Sequence, residues 1–365
     1  MDTYLIQLQT YFRNLTLNAM GVERDIYKLL ADKDVPRALR LFQERDSEVD
    51  KAIAEYNVQT HNVMRRPNKY RDGQDAYITE KLPRNRAVYI NEVELFFLLG
   101  NPIKFSKADG DDEAFKLFEN FLHDTYFNSK MREAKRLAGA ETESAKFYRI
   151  YNDGGEIKAD SIVLARSKGH TLRPLFDQYG KMQAFAYGYK LKEGGRVIQH
   201  WDIQTADMLF FCKRARIGWE VEQYRNPIGK ISTIYYQQNK AWDGVVARIN
   251  REEELDSKVG DTNNYFADPI AAATADVVNN LMDPNKPGKL IQLTGTASRF
   301  EYINPPQSSE TRRSEQATLN DSILFDTFTP DFSFEKMRGL GALSGVAIHN
   351  AMMLGYLKRS NRMEV

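Results

Sequence analysis

The sequence predicts an α+β protein in which helices precede and follow a central antiparallel sheet. Apolar residues recur every three to four positions in the first 50 residues and again beyond Ala241, which is typical of helices that bury one face. Between Phe147 and Tyr236, short segments of alternating apolar and polar residues are separated by turn residues, which indicates antiparallel strands. With 365 residues, of which 42% are hydrophobic and 28% charged, the chain is long enough to bury a sizeable core.

The N-terminal region is predicted to be helical. Asp34 and Pro36 are expected to cap and begin a helix that runs through Phe42, because proline fits the first turn of a helix. Polar, basic and turn-forming residues over 57–73 indicate a loop. Before these elements, apolar residues at helical spacing are Leu5, Leu8, Tyr11, Phe12, Leu15, Ile26, Leu29 and Leu30.

Two further helices are predicted before the sheet. One follows Pro83 and ends at Gly100, with Pro102 just beyond as a stop signal. The second is an amphipathic helix over 111–137.

The sheet is expected to begin with a hairpin whose turn is Gly154-Gly155, since paired glycines suit the tight turns of hairpins. Turn residues separate the later segments. The other predicted strands are Met182–Lys192, Val197–Ile203, Met208–Cys212, Trp219–Tyr224 and Ile231–Tyr235.

Helical character returns after the sheet. Helices are predicted over 241–258, 271–281, 308–325 and 344–358, with a break at Asp268-Pro269. The loop DPNKPG, short strands over 289–293 and 300–303, and an irregular, glycine-bearing stretch over 327–341 are expected between them.

Composition and charge limit the class of protein. Lysine plus arginine number 51 and aspartate plus glutamate 50, so the formal charge is +1, whereas tight nucleic-acid binders carry a clear basic excess. A single cysteine, Cys212, forms no internal disulfide and fits a reducing compartment. The longest apolar run, Val93–Leu99, falls far short of the roughly 20 residues that a membrane span needs. The N-terminal residues have no signal-peptide pattern.

No motif predicts catalysis, a metal site or a cofactor. The five histidines are scattered, with no HExxH and no cysteine partner at metal-ligand spacing. Gly229-Lys230 and Gly288-Lys289 lack the other residues of a phosphate-binding loop, which argues against an ATPase of the P-loop type. Ser344 lies in GALSGVA, where alanine replaces the first glycine of GxSxG, so a helix cap is the better interpretation.

Four segments together resemble the tailed-bacteriophage portal protein family. They are KLPRNRAVYINEVELFFLLGNPIKF (81–105), EVEQYRNPIGKISTIYYQQNKAW (220–242), INREEELDSKVGDTNNYFADPI (249–270) and LGALSGVAIHNAMMLGYLK (340–358). Each consists of common residue types, and the resemblance rests on their order and spacing along nearly the whole chain.

The resemblance implies a closed ring of about a dozen subunits. It also implies a portal fold with a helical and β wing, long stem helices, a small α/β clip and a crown that is short or absent, since the sequence stops at Val365. The implied regions are a wing over 1–238, a stem helix over 239–262, a clip over 264–308, a second stem helix over 309–326, a tunnel loop over 327–342 and a C-terminal helix over 343–365.

The tunnel loop is the candidate DNA-contacting site. The resemblance implies that Lys336 and Arg338 face the channel, where a dozen copies of each would form rings of positive charge that touch phosphates weakly. Phe334, together with Phe332, is expected to anchor the base of the loop. Gly339 and Gly341 give it backbone freedom. A plain connector between helices is the alternative.

The clip is the candidate docking surface. Two prolines stiffen the loop 283–288, and the short strands beside it can pair with a neighbouring subunit or, alternatively, close an ordinary hairpin within the chain. The candidate docking residues are Asp283, Asn285, Lys286 and Lys289. Basic residues at 64–71 and 213–216 fit solvated loops or subunit contacts better than a nucleic-acid site.

These implications predict a non-enzymatic channel for packaging and ejecting DNA. The expected partners are duplex DNA without sequence preference, the terminase large subunit, the major capsid or scaffold protein and a head–tail adaptor. The expected location is the portal vertex of the virion, after assembly in the host cytoplasm. Two alternatives remain open: another head–tail or interaction protein of a phage or prophage, and a nucleic-acid enzyme in which Asp261 and Glu252 hold a divalent metal.

Overall fold

A computed structural model describes residues 25–68, 78–107, 110, 112–267, 271–277, 293–302, 309–333, 336, 338 and 345–363. The chain divides into two compact units. Unit 1 comprises Met1–Asn57, Asn85–Asp243 and Thr327–Val365, and unit 2 comprises Val58–Arg84 and Gly244–Asp326.

Helices and strands alternate in blocks along the chain, as expected for an α+β protein. The helices are α1 (25–31), α2 (Val35–Leu39), α3 (Asp46–Tyr56), α4 (Arg86–Leu99), α5 (Asp112–Asp124), α6 (Phe127–Glu141), α7 (Val246–Ala267), α8 (Ser309–Asp326), α9 (Gly345–Ala351) and α10 (Met353–Met363). The strands are β1 (Glu143–Asp153), β2 (Glu156–Leu164), β3 (Thr171–Phe176), β4 (Met182–Glu193), β5 (Arg196–Thr205), β6 (Met208–Arg214), β7 (Trp219–Arg225), β8 (Thr233–Gln237), β9 (Ala271–Val277) and β10 (Leu293–Tyr302).

Unit 1 contains two antiparallel sheets. A five-stranded sheet has the order β3-β4-β5-β6-β7, and a three-stranded sheet has the order β2-β1-β8. The predicted hairpin turn is confirmed, because Gly154 and Gly155 have φ angles of 62° and 98°, a region that favours glycine. The division of the strands between two sheets was not predicted.

The core of unit 1 has two parts. One face of the five-stranded sheet is covered by α1 and α2, which bury Ile26, Leu30 and Val35 against Ile203 and Phe210. A second cluster joins the two sheets and consists of the buried residues Ala145, Leu164, Leu172 and Phe185. Burying a side chain of the size of leucine or phenylalanine contributes about 1.5–3 kcal/mol, so these clusters stabilise the sheets and the helices on them.

The predicted start of α2 is confirmed and its predicted end is wrong. The Asp34 carboxylate accepts a hydrogen bond from the Arg37 N–H at 3.2 Å, and Pro36 lies in the first turn. The helix ends before Phe42, where the chain turns so that the Gln43 N–H donates to the Pro174 carbonyl at 2.9 Å.

The single helix predicted over 111–137 is wrong, because two helices, α5 and α6, occupy this region. Tyr126 has a φ of 48°, and the chain turns there. The buried Ser161 hydroxyl donates to the Thr125 carbonyl at 2.5 Å, which holds the turn in place. Since apolar residues keep helical spacing across the break, periodicity does not reveal it.

The helix predicted after Pro83 is confirmed as α4, which ends just before Gly100. Strand β3 was missed because it contains Pro174. This proline is tolerated because β3 is an edge strand of its sheet, where one side of the backbone needs no ladder partner.

The helix predicted over 271–281 is wrong, since the described part of this range is strand β9, antiparallel to β10. Alanine-rich sequence favours helix only weakly, and pairing with a second strand outweighs that preference. Of the strands predicted over 289–293 and 300–303, the described residues 293 and 300–302 are in a strand, but in the same one, Leu293–Tyr302, whose pairing is irregular between Thr294 and Arg299.

The later helices differ from prediction mainly at their ends. α7 begins five residues late because Gly244, with a φ of 83°, closes a preceding turn, and it continues to Ala267. α8 coincides with the prediction to within one residue. The predicted final helix is two helices, with a turn at Met352. Lys336 and Arg338 are helical, although an irregular stretch was predicted there.

Among the described residues, no helix combines the length and the hydropathy that crossing a bilayer requires.

Candidate functional site

The structure describes two of the predicted channel residues. Lys336 and Arg338 are both exposed and have helical backbone conformation. The other candidate residues lie outside the described part of the chain: Phe334, Gly339 and Gly341 of the channel, and Asp283, Asn285, Lys286 and Lys289 of the docking surface.

The chain leading to Lys336 is anchored on α4. The Tyr89 hydroxyl donates to the Pro330 carbonyl at 2.7 Å and accepts from the Phe332 N–H at 2.8 Å. The Phe332 ring stacks on Phe97, with 6.4 Å between centroids. Residues 330–332 therefore have a fixed position on α4.

The chain that follows the candidate channel residues is anchored on the same helix by an aromatic contact. The Tyr356 ring of α10 meets Phe97 edge-on, with 5.3 Å between centroids. The Cβ of an alanine at Gly355 would lie 2.2 Å from the Phe97 ring, so only glycine allows this approach. Helix α4 is thus a common platform for both ends of the segment between residues 333 and 353.

A buried charge cluster holds α10 on α4. The Lys358 ammonium is 3.7 Å from the Glu94 carboxylate and donates to the Ile90 carbonyl and the Thr329 hydroxyl, at 3.3 Å each. Burial lowers the pKa of Lys358 to about 8. Arg362 is 3.3 Å from Glu94, so one buried carboxylate faces two cations of α10.

In unit 2, α7 and α8 form an antiparallel helix pair. Their 22 and 18 residues correspond to lengths of about 33 and 27 Å at a rise of about 1.5 Å per residue. Arg248 near the start of α7 pairs with Asp326 at the end of α8. Further along, Gln316 donates to Asp256 at 2.5 Å, and Arg251 is 2.8 Å from Glu315.

A second partner of α7 is the segment of residues 78–84, which is neither helix nor strand and which we call the strap. Three backbone N–H groups of the strap donate to side chains of α7. They are Glu80 to Asp261 at 2.7 Å, Leu82 to Ser257 at 2.9 Å and Arg84 to Glu253 at 2.9 Å. Those α7 residues are buried although they are polar. Buried polar groups need partners, and here they satisfy a backbone that has no strand beside it.

The strap and the helix match because their repeats are nearly equal. Two residues of an extended chain advance about 6.6 Å, and four residues of a helix advance about 6.0 Å. Alternate N–H groups of the strap therefore meet every fourth side chain of α7. Residues 253, 257 and 261 lie on one helix face because they are four apart.

Side-chain ion pairs reinforce the strap and the chain before it. Arg84 is 3.2 Å from Glu252 and also pairs with Asp256. His61 is 2.6 Å from Glu253, and Arg66 is 2.8 Å from Asp261.

The residues proposed as metal ligands in the enzyme alternative are used structurally. Asp261 accepts from Arg66 and from the Glu80 N–H, while Glu252 pairs with Arg84. Glu252 and Asp261 are nine positions apart in the helix, which places their side chains about 180° apart around α7. Within the described ranges no three histidine, cysteine, aspartate or glutamate residues are grouped as metal ligands.

The two basic stretches also have local partners. Arg66 is bound to Asp261, which fixes one end of the first stretch, whose residues 69–71 are outside the described part. In the second, Lys213 is 2.6 Å from Glu193, and Arg214 lies over the Trp219 ring at 5.3 Å.

Sequence reasoning missed the strap and the platform role of α4. The only signal for the strap is the acidic face of α7, which also fits an exposed helix. No pattern links Phe97 to Tyr356, since these residues are far apart in the chain.

A comparison with protein families finds a match over residues 40–364 to the family described as phage portal protein, SPP1 Gp6-like. No curated protein matches the sequence.

Proposed function

Since the chain belongs to the SPP1 Gp6-like phage portal protein family, we propose that it is the subunit of a ring-shaped channel through which duplex DNA enters and leaves a capsid. Family membership implies an oligomeric ring, a place in the virion capsid and a structural role. The observation that carries the proposal is the family match over nearly the whole chain.

Within this proposal, residues 239–262, which include most of α7, and residues 309–326, which coincide with α8, are the stem helices, and residues 264–308 are the clip. The antiparallel packing of α7 and α8 supports the stem assignment, because such a pair can be repeated around an axis. Residues 1–238 are the wing, and residues 327–342 are the tunnel loop. The helices over 343–365 lie on the wing side.

The channel function uses weak contacts with DNA. Lys336 and Arg338 are exposed, and each would occur about a dozen times around the ring. A formal charge of +1 on the subunit agrees with a wall along which DNA slides, since many strong phosphate contacts would hold it.

The clip is the proposed docking surface, first for the terminase large subunit and then for a head–tail adaptor. Its candidate residues are Asp283, Asn285, Lys286 and Lys289. Assembly with the major capsid or scaffold protein takes place in the host cytoplasm. ATP hydrolysis during packaging belongs to the terminase, because the chain has no phosphate-binding loop.

The test of this proposal is the native mass of the purified protein, with images of the particles. A dozen subunits of 42.1 kDa give a mass of roughly 500 kDa. We expect a species near that mass by mass photometry, and end-on rings with a central hole by electron microscopy. A protein that remains monomeric both alone and in assembled capsids, or particles without a hole, would contradict the proposal.

A further inference from the structure

A cavity in unit 1 lies between its two sheets and has no role in the channel proposed above. Its volume is about 220 Å³, which corresponds to roughly seven water molecules. Strand β1 contributes Phe147 and Tyr148, while Tyr187 and Phe211 come from the five-stranded sheet. The lining is therefore rich in aromatic rings from both sides.

One charged group lines this cavity from the five-stranded sheet. Asp202 is only 8% exposed, and its carboxylate accepts hydrogen bonds from the hydroxyls of Tyr187 at 2.7 Å and Tyr189 at 3.2 Å. Both donors are neutral, and burial raises the pKa of each phenol, which keeps them protonated. The carboxylate is thus oriented by hydrogen bonds from neutral groups, while burial raises its pKa above the ordinary value of an aspartate.

Asp202 differs in this respect from two other buried carboxylates, Glu94 and Asp261. Glu94 faces Lys358 and Arg362, and Asp261 faces Arg66. In the part of the chain that the structure describes, no lysine or arginine forms an ion pair with Asp202. A buried carboxylate without a cation is costly, and the cost falls when a cation occupies the neighbouring space.

The other charged groups near the cavity are already engaged. Arg149 lines the cavity, but its guanidinium pairs with Asp160, with Nε 3.2 Å from the carboxylate, and lies over the Tyr151 ring. His200 stacks on Tyr189 with 5.3 Å between centroids and is 3.2 Å from Glu193.

We propose that this cavity binds a small organic cation, an ammonium or guanidinium group on a short apolar stem. The cationic head lies against the Asp202 carboxylate and the face of Tyr187, since the π faces of aromatic rings attract cations. The stem lies among Phe147, Tyr148 and Phe211 and displaces water from apolar surface. The size of the cavity limits the ligand to a handful of heavy atoms.

The test compares three probes of nearly equal shape in ligand-detected NMR titrations of the full-length protein: n-butylammonium, n-butanol and butyrate. We expect n-butylammonium to bind at least about tenfold more tightly than n-butanol, and butyrate not to bind. In Asp202→Asn we expect this preference for the cation to disappear. Equal binding of n-butylammonium and n-butanol by the wild-type protein would overturn the proposal. An unchanged preference of Asp202→Asn for n-butylammonium over n-butanol would also overturn it.

A second variant tests the location without removing the carboxylate. Ile228 lines the cavity and is 39% exposed, so Ile228→Trp places bulk at the cavity with little cost to folding. We expect it to abolish n-butylammonium binding. Ile217→Trp is the matched control, because Ile217 is 90% exposed and does not line the cavity, and it is expected to bind like wild type. If Ile228→Trp binds n-butylammonium as tightly as Ile217→Trp does, the cavity is not the site.

Discussion

Gly188 of strand β4 lies against the indole of Trp201, and the two residues are directly paired across β4 and β5. A Cβ at this position would be 2.8 Å from atoms of the Trp201 ring. Residue 188 is therefore glycine because any side chain would collide with Trp201, and not because of its backbone conformation.

We expect Gly188→Ala to lower the free energy of unfolding by about 1–3 kcal/mol, because an added methyl group in a packed core forces its neighbours to move. Chemical denaturation measures the change. Gly345→Ala is the control, since a Cβ there meets nothing within 4 Å and alanine favours the helix. Equal stability of Gly188→Ala and wild type would contradict the packing argument.

Two buried lysines predict how stability depends on pH. The Lys146 ammonium lies 4.5 Å from the centroid of the Phe127 ring and 4.9 Å from that of Tyr148. Burial lowers the pKa values of Lys146 and of Lys358 from 10.5 to about 8. Between pH 8 and 10 the unfolded chain binds more protons at these lysines than the folded protein, so their contribution to stability rises with pH.

We therefore expect the free energy of unfolding to rise between pH 8 and 9.5 and to rise less steeply in Lys146→Met. Above pH 10 it should fall, because burial raises the pKa values of Tyr187 and Tyr235 and the unfolded chain loses those protons first. Urea unfolding at a series of pH values measures both slopes. Lys28→Met, at an exposed position, should leave the slope unchanged. A lower stability at pH 9.5 than at pH 8 in wild type would contradict the argument.

At the scale of elements, the strap is held by side chains of α7 instead of by a neighbouring strand. We expect Asp261→Asn to destabilise unit 2 by about 1.5–3 kcal/mol, because it weakens charge-assisted hydrogen bonds from Arg66 and from the Glu80 N–H. Hydrogen exchange of the full-length protein should then be faster at the amides of Glu80 and Leu82.

Glu254→Gln is the matched control for Asp261→Asn. Glu254 is in the same helix, half-exposed, and pairs with Lys258 and Arg251 on the surface. Such exposed pairs contribute about 0.2–1 kcal/mol at most, so exchange in the strap should be unchanged. Identical exchange in the two variants would show that Asp261 does not hold the strap.

Local signals predicted some elements well. The Gly154-Gly155 hairpin, the Asp34 cap and the end of α4 at Gly100 were each predicted from a few adjacent residues that restrict the backbone. The errors arose where distant contacts decide. The Ser161 hydroxyl holds the turn between α5 and α6, and β9 pairs with β10. The acidic face of α7 is buried by the strap.

For the candidate site, the sequence predicted the types of residue, and the structure shows the contacts that hold the neighbouring chain in place. Phe332 was expected to anchor the chain before Lys336, and its ring does stack on Phe97. The roles of Tyr89, Lys358 and Gly355 were not predictable, because each depends on contact with α4 across more than 200 residues of sequence.

At the scale of the whole molecule, the channel proposal predicts an effect of the exposed cations. We expect Lys336→Ser combined with Arg338→Ser to leave ring formation intact and to change the fraction of capsids filled with DNA, because rings of positive charge around the passing phosphates are lost. Counting filled and empty capsids by electron microscopy measures this fraction.

The control for that experiment removes equal charge elsewhere. Lys28 and Arg40 are exposed in unit 1, and replacing both by serine keeps the same net charge as the channel variant. If both double variants fill capsids like wild type, Lys336 and Arg338 do not act on the DNA during packaging.

The repeat lengths of the strap and of α7 are close but not equal. Two residues of the strap advance about 0.6 Å further along the axis than four residues of the helix. The N–H groups of the strap and the side chains of α7 therefore stay in register over a few hydrogen bonds and then diverge. Chain length here can change only in coupled steps: two residues in the strap require four in the helix. A single inserted residue would turn the remaining strap amides away from α7 and leave the buried side chains that they bind without those donors.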